Sequence, residues 1–178
     1  MEITKTKIRY LDGPRLKAVF SITFNNSLTI NDCCIIIDEE KNMKFVAFPF
    51  TKDKNGEIVD LAHPINKDFK ETINQKIFEL YDNRQEEFVK NDVCEICNVT
   101  NCKIQKIEEG VFEVRLIFDD MFAINKLICK LQNNSLSFRH PYSKVVDEQR
   151  YYLVNFEKQI LIQDITMWLA KCCMNHQE

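Results

Sequence analysis

Glycine is nearly absent from this 178-residue chain, which carries only Gly13, Gly56 and Gly110. A glycine-rich phosphate loop needs several neighbouring positions free of a Cβ, so three scattered glycines exclude one. Histidine is equally scarce, at three residues, and no Ser/His/Asp set falls at a familiar catalytic spacing. Long apolar runs are missing too. "CCIII" and "FVAFPF" are far shorter than the ~20 residues of a membrane-spanning helix. The opening "MEITKTKIRY" lacks the charged-then-apolar order of a secretory leader. Both absences set the expectation of a cytoplasmic protein with no membrane partner. Positive charge is not in excess either: the net charge is −3, and neither the first ninety residues nor the remainder is basic. Nucleic-acid affinity draws largely on phosphate neutralisation, so any such binding must come from a local patch.

What is present fits an ordinary globular chain, with 45% hydrophobic and 29% charged residues. Eight cysteines without a leader read mostly as thiols rather than disulfides. The length suits one domain or two small ones. An internal repeat favours two. "KIRYLDGPRLKAVFSITFNNSLTINDCCIII" aligns with "KIQKIEEGVFEVRLIFDDMFAINKLICKL", placing Lys7-Ile8 on Lys103-Ile104, Phe24 on Phe118 and Ile30-Asn31 on Ile124-Asn125. The second copy is two residues shorter at the Gly13-Pro14-Arg15 turn, where a hairpin tolerates deletion. Phe69, Ile73 and Ile77 then meet Leu161, Ile165 and Leu169. Chance similarity between two β-rich segments is the alternative.

Each copy reads as strand, hairpin, strand, strand, loop, helix. "ITKTKIRYL", "RLKAVFSITF", "LTINDCCIII" and "MKFVAFPF" are the strands, and "NNS" supplies a tight turn. "TKDKNGEIVD" is a polar loop in which Asn55-Gly56 favours a reversal. Phe69, Ile73, Ile77 and Leu80 form one apolar stripe over a helix at about 67–81. The expected class is α+β, a curled antiparallel sheet packed against a C-terminal helix, twice in tandem. The domains are 1–88 and 99–178, joined by a linker at 89–98; "DNRQEEFVKNDV" reads as helix tail plus connector.

The run Phe45–Tyr81, "FVAFPFTKDKNGEIVDLAHPINKDFKETINQKIFELY", resembles the SpoVG family, the stage V sporulation G proteins or bacterial septation regulators. The residues that carry the resemblance are Phe45-Val46-Ala47-Phe48-Pro49, then Gly56-Glu57, then Asp60-Leu61-Ala62-His63-Pro64-Ile65. The first three strands also match, so it spans about residues 1–85. The resemblance implies a small α+β domain that dimerises and binds DNA or RNA to regulate gene expression, with no enzymatic activity and no cofactor. It attributes nucleic-acid contacts to basic residues in the loop after the proline. The family's usual Ser-Lys-Arg reads Phe50-Thr51-Lys52 here, and its Arg before the Asp reads Val59; Lys52 and nearby Lys54 keep the charge. Arg139, Tyr142 and Lys144 stand at the matching loop of the second copy, whose Tyr152-Leu153-Val154-Asn155-Phe156 replaces the "DLAHPI" string. A dimerising family fused in tandem implies an intrachain pseudo-dimer, since a short linker raises effective concentration to about millimolar. A homodimer through the first copy is the alternative. A protein-interaction or scaffolding module that gave up nucleic acid is the rival function.

Other residues carry weaker signals. His63, restrained by Pro64 to extended geometry, reads as a fastener that bonds loop carbonyls; a catalytic base needs an orienting carboxylate and a nucleophile, and neither is evident. Asn66 or Asp68 is expected to cap the helix, with Glu71 completing a box from Asp68. Cys94 and Cys97 have the C-x2-C spacing of a metal site, with Cys102 as third ligand. Without a second pair, free thiols are the plainer reading and zinc the alternative. Of Phe45, Phe48 and Phe50, core packing suits most, and Phe50 beside Lys52 is the stacking candidate.

Overall fold

Asn25 and Asn26 both take positive φ, at 47° and 48°, as do Asp119 and Asp120, at 51° and 54°. A β-turn of type I′ needs this conformation at both central positions, and Asn and Asp tolerate it; with Phe24 opposite Leu28 and Phe118 opposite Phe122, each hairpin loop holds three residues. In each turn the chain closes on itself: Ser27 N–H donates to the Phe24 carbonyl, and Met121 N–H to that of Phe118, both at 2.9 Å. A computed structural model builds the molecule around these two hairpins, and it describes residues 1–92, 95–132, 135–139, 142–146 and 149–174.

In chain order the first half contributes β1 (Ile3–Tyr10), β2 (Leu16–Phe24), β3 (Leu28–Asp38), β4 (Met43–Ala47), β5 (Phe50–Lys52), β6 (Ile58–Asp60), β7 (Ala62–Pro64) and α1 (Lys67–Asp82). After β8 (Glu87–Val89) come β9 (Val99–Glu108), β10 (Val111–Phe118), β11 (Phe122–Gln132), β12 (Ser135–Arg139), β13 (Tyr142–Val146), β14 (Gln149–Tyr152), β15 (Val154–Phe156) and α2 (Gln159–Met174). The class is α+β, with antiparallel sheets and two helices.

Two larger sheets mix the two halves, beside the two-stranded pairs β5-β6 and β13-β14. One runs β15-β3-β2-β1-β8, with β4 also on β3; the other runs β12-β11-β10-β9, with β7 on β11. Thus β7 of the first half pairs with β11 of the second, Ala62 opposite Ile124, and β15 of the second pairs with β3 of the first, Val154 opposite Ile30. Bulges at Asp32 and Lys126, both with positive φ, bend β3 and β11 so that each holds one neighbour before the bend and another after it. One buried cluster runs through both halves, including Phe24, Phe69, Phe122, Phe156, Leu161 and Ile165.

The α1 stripe behaves as its spacing demands: Phe69, Ile73, Ile77 and Leu80 are all buried. Asn66 is the N-cap, its side-chain oxygen accepting from Phe69 N–H at 3.0 Å, so Asp68 is left to favour the helix dipole from the first turn. The stretch after α1 is neither helix tail nor free tether. Asn83 caps the helix, and β8 adds itself to the open edge of β1. The Phe88 ring sits under Lys76 Nζ, 4.5 Å from its centroid. Among the described residues no helix is long and apolar enough to cross a membrane.

Candidate functional site

The segment read from sequence as a polar loop is a short hairpin. β5 and β6 pair Phe50 with Asp60, Thr51 with Val59 and Lys52 with Ile58. Asp53 organises the tip: its carboxylate accepts from Asn55 N–H at 2.8 Å and Glu57 N–H at 2.9 Å. Gly56 closes the reversal with φ of 81°. At the base, Leu61 N–H donates to the Pro49 carbonyl at 2.9 Å. This rigid neck holds Lys52 and Lys54 in solvent. Phe50 is 53% exposed, whereas Phe48 packs edge-on against Phe122. A groove of about 340 Å³ lies beside the hairpin, lined by Phe48, Pro49, Phe50 and Leu61 and closed by Leu153 from the second half.

Downstream of the hairpin, the backbone does the fastening. His63 lies in β7 opposite Ala123. The Asn125 side-chain amide donates to the Asp60 carbonyl at 2.7 Å, and Asn125 N–H to that of Leu61 at 2.8 Å. The imidazole adds no bond at Nδ1, which is buried and without a hydrogen-bond partner. Burial pushes the His63 pKa below the usual histidine range; nearby Asp60 opposes this and the Arg115 guanidinium adds to it. His63 therefore holds its place as a strand residue, through its peptide group.

Arg139 ends β12, exposed and opposite Ile128. Lys144 lies on β13 opposite Tyr151, beside Tyr142 opposite Tyr152. The Lys52 hairpin leads into β7 on the second sheet, while the Lys144 hairpin leads into β15 on the first. The two predicted basic loops are thus attached to different sheets.

Of the cysteine set, Cys94 lies outside the described residues. Cys97 is fully buried, with its N–H donating to Ser27 Oγ at 3.0 Å and its Sγ 3.6 Å from the Phe24 carbonyl. Burial pushes its thiol up to about 11, partly offset by Ser27, so at neutral pH the thiolate a metal needs is disfavoured. Cys102 sits within β9 opposite Leu116. Among the described residues no group of three His, Cys, Asp or Glu side chains could hold a metal ion.

Two residues that the sequence did not single out as binding candidates belong on this surface. Lys103 of β9 and Arg115 of β10 are direct cross-strand partners. Counting evenly from the Glu109-Gly110 turn would set Lys103 opposite Leu116; a register shift between Val111 and Phe112 brings it opposite Arg115 instead, and the sequence carries no signal for that shift.

A family model described as SpoVG matches residues 1–83. Proteins carrying the name septation protein SpoVG resemble the same half. The one from Caldanaerobacter subterraneus subsp. tengcongensis is 40% identical over 87 residues, covering 48% of this chain and 93% of the relative. That of Desulforudis audaxviator is 39% identical over 85 residues, 47% of this chain and 94% of the relative. That of Acetivibrio thermocellus is 40% identical over 83 residues, 46% of this chain and 86% of the relative.

Proposed function

The chain belongs to the SpoVG family, and from that premise we propose that it is a non-enzymatic regulator of the septation type that binds DNA or RNA through the β5–β6 hairpin. The observation that carries this reading is the hairpin itself: a braced tip with Lys52 and Lys54 in solvent and Phe50 53% exposed beside them. Cations suit phosphates, and an exposed ring suits stacking on a base.

The same proposal makes the second half a diverged copy of the first, paired with it as an intrachain pseudo-dimer. Matching interactions support this. Val154 faces Ile30 as Ala62 faces Ile124. Asn31 N–H donates to the Leu153 carbonyl as Asn125 N–H does to that of Leu61, both at 2.8 Å. The Asn31 side-chain amide reaches the Tyr152 carbonyl at 3.0 Å, as that of Asn125 reaches Asp60. Both helices have 16 residues.

The test is binding of the full chain to a mixed DNA and RNA pool at low and moderate salt. Lys52→Glu with Lys54→Glu weakens binding across sequences and lowers the slope of log K against log salt by about 0.7–0.9 for each phosphate no longer neutralised. No binding at low salt refutes the reading. A protein-binding module is the second reading, favoured by the net charge of −3 and the apolar groove beside Phe50.

A further inference from the structure

Lys103 and Arg115 stand opposite each other on β9 and β10, and directly opposed like charges destabilise an antiparallel pair. The Glu113 carboxylate is engaged by Lys126 Nζ at 2.8 and 2.9 Å, and among the described residues neither Lys103 nor Arg115 has an ion-pair partner. Arg115 Nε–H is buried with no hydrogen-bond acceptor, and so is His63 Nδ1 without a partner on the adjoining β7. Asp60 is the carboxylate near His63, and it is exposed on the hairpin.

The corresponding place on the first sheet is built differently. There Lys7 faces Ser21, and Glu87 lies 3.8 Å from Lys7 and 3.9 Å from Lys5. Of the two places, the one on the second sheet sets two cations directly opposite each other, and the one carboxylate in its groove, Glu113, is taken up by Lys126. The cations line an open groove of about 450 Å³ with Gln105, Asn125, Lys126 and the Lys126-engaged Glu113, and Val59 of β6 forms part of its wall. Since β6 is the partner strand of β5, the hairpin carrying Lys52 and Lys54 stands at the groove's rim.

We propose that the Lys103–Arg115 groove binds the phosphate backbone of a nucleic-acid strand, which makes the half outside the family match a binding surface continuous with the hairpin. The proposal rests on the nucleic-acid reading and extends it to new residues. Arginine's planar fork grips a phosphate with two parallel hydrogen bonds, while lysine contributes a point charge. The groove lining holds no aromatic side chain, so its contacts fix the strand's position rather than read its bases.

The experiment measures fluorescence anisotropy of short single-stranded DNA and RNA oligonucleotides of mixed sequence against the full chain, at about 50 and about 200 mM salt. Native protein, Lys103→Glu, Arg115→Gln and the Lys52→Glu/Lys54→Glu double variant are compared, with circular dichroism to check folding. The groove variants are expected to weaken binding of every oligonucleotide and to flatten the salt slope by about 0.7 for each phosphate left unneutralised. Because Lys103 is exposed, its variant decides the matter even if Arg115→Gln fails to fold. Native affinity and slope in Lys103→Glu overturn the groove while leaving the hairpin reading intact. Failure of the native chain to bind any oligonucleotide at low salt overturns both. Capture by polyglutamate in that case redirects the surface to an acidic protein.

Discussion

Removing the Phe24 ring tests whether the two halves stand or fall together. Phe24 is fully buried, with its ring 5.5 Å from that of Phe69 on α1 and 5.1 Å from that of Phe122 on β11. It therefore touches both halves at once. Phe24→Ala is expected to cost about 3–5 kcal/mol for the lost burial and the cavity left behind. The two ring pairs, each about 0.5–1.5 kcal/mol beyond area burial, favour the upper part of that range. With a urea dependence of about 2–3 kcal/mol per molar, the midpoint falls by roughly 1–2.5 M. The chain's single tryptophan, Trp168, packs against the core from α2, so its fluorescence reports on the half that Phe24 does not belong to. The Trp168 transition and the far-ultraviolet dichroism are expected to shift together. The native midpoint should not depend on protein concentration, since an intrachain core is not an association. A Trp168 midpoint that stays put while the dichroism splits into two steps refutes the shared core. A midpoint that rises with concentration refutes the intrachain pair in favour of assembly between chains.

Two further perturbations probe backbone strain and proton linkage. A Cβ at Gly56 meets nothing within 4 Å, whereas at Gly110 it would sit 2.6 Å from the Leu131 carbonyl oxygen. Both residues have positive φ, so each alanine costs about 1–2 kcal/mol in conformation, but only Gly110→Ala adds a collision with backbone. Gly56→Ala is expected to lower Tm by about 2–8 °C and Gly110→Ala by clearly more; equal shifts in thermal melts contradict this. His63 resists protonation in the folded chain because it is buried, while the unfolded chain takes up the proton near pH 6.5. The stability tied to this group is complete above about pH 6.5 and is lost as pH falls below it, because the unfolded state then binds more protons. Between about pH 7.5 and pH 5.5 the native chain should lose more Tm than His63→Gln, and parallel profiles rule out the linkage.

Local chemistry made much of the molecule legible. Asn25-Asn26 specified its turn, and the stripe from Phe69 to Leu80 specified a helix and its buried face. The tract around Lys52 announced an exposed basic tip. The polar loop that became the β5–β6 hairpin is a local failure; the others are of one kind, in which a segment's conformation is set by a remote partner. Ala62–Pro64 ends in a proline, which argues against a strand by propensity, yet it pairs because β11 offers an open edge. "EFV" follows a helical, charged tract and becomes β8 only because β1 has unpaired groups facing it. Cys97 sits in a polar connector, and its burial depends on a hydroxyl seventy residues earlier, Ser27.

The exchange of β7 and β15 carries this reasoning furthest. Ala62-His63-Pro64 and Val154-Asn155-Phe156 dock in matching register on Ile124 and Ile30, each on the other half's strand. If the halves are copies, as proposed, the two docking edges are chemically near-equivalent. A period-two pattern can then say that a strand forms and which face it buries, while remaining silent about which of two similar edges receives it. That choice lies with the connection. β5–β6 projects away from the sheet that β4 belongs to and delivers β7 to the other one. The same connection puts Val59 of β6 in the wall of the Lys103–Arg115 groove, so the strand exchange and the hairpin's place beside that groove have a common structural cause.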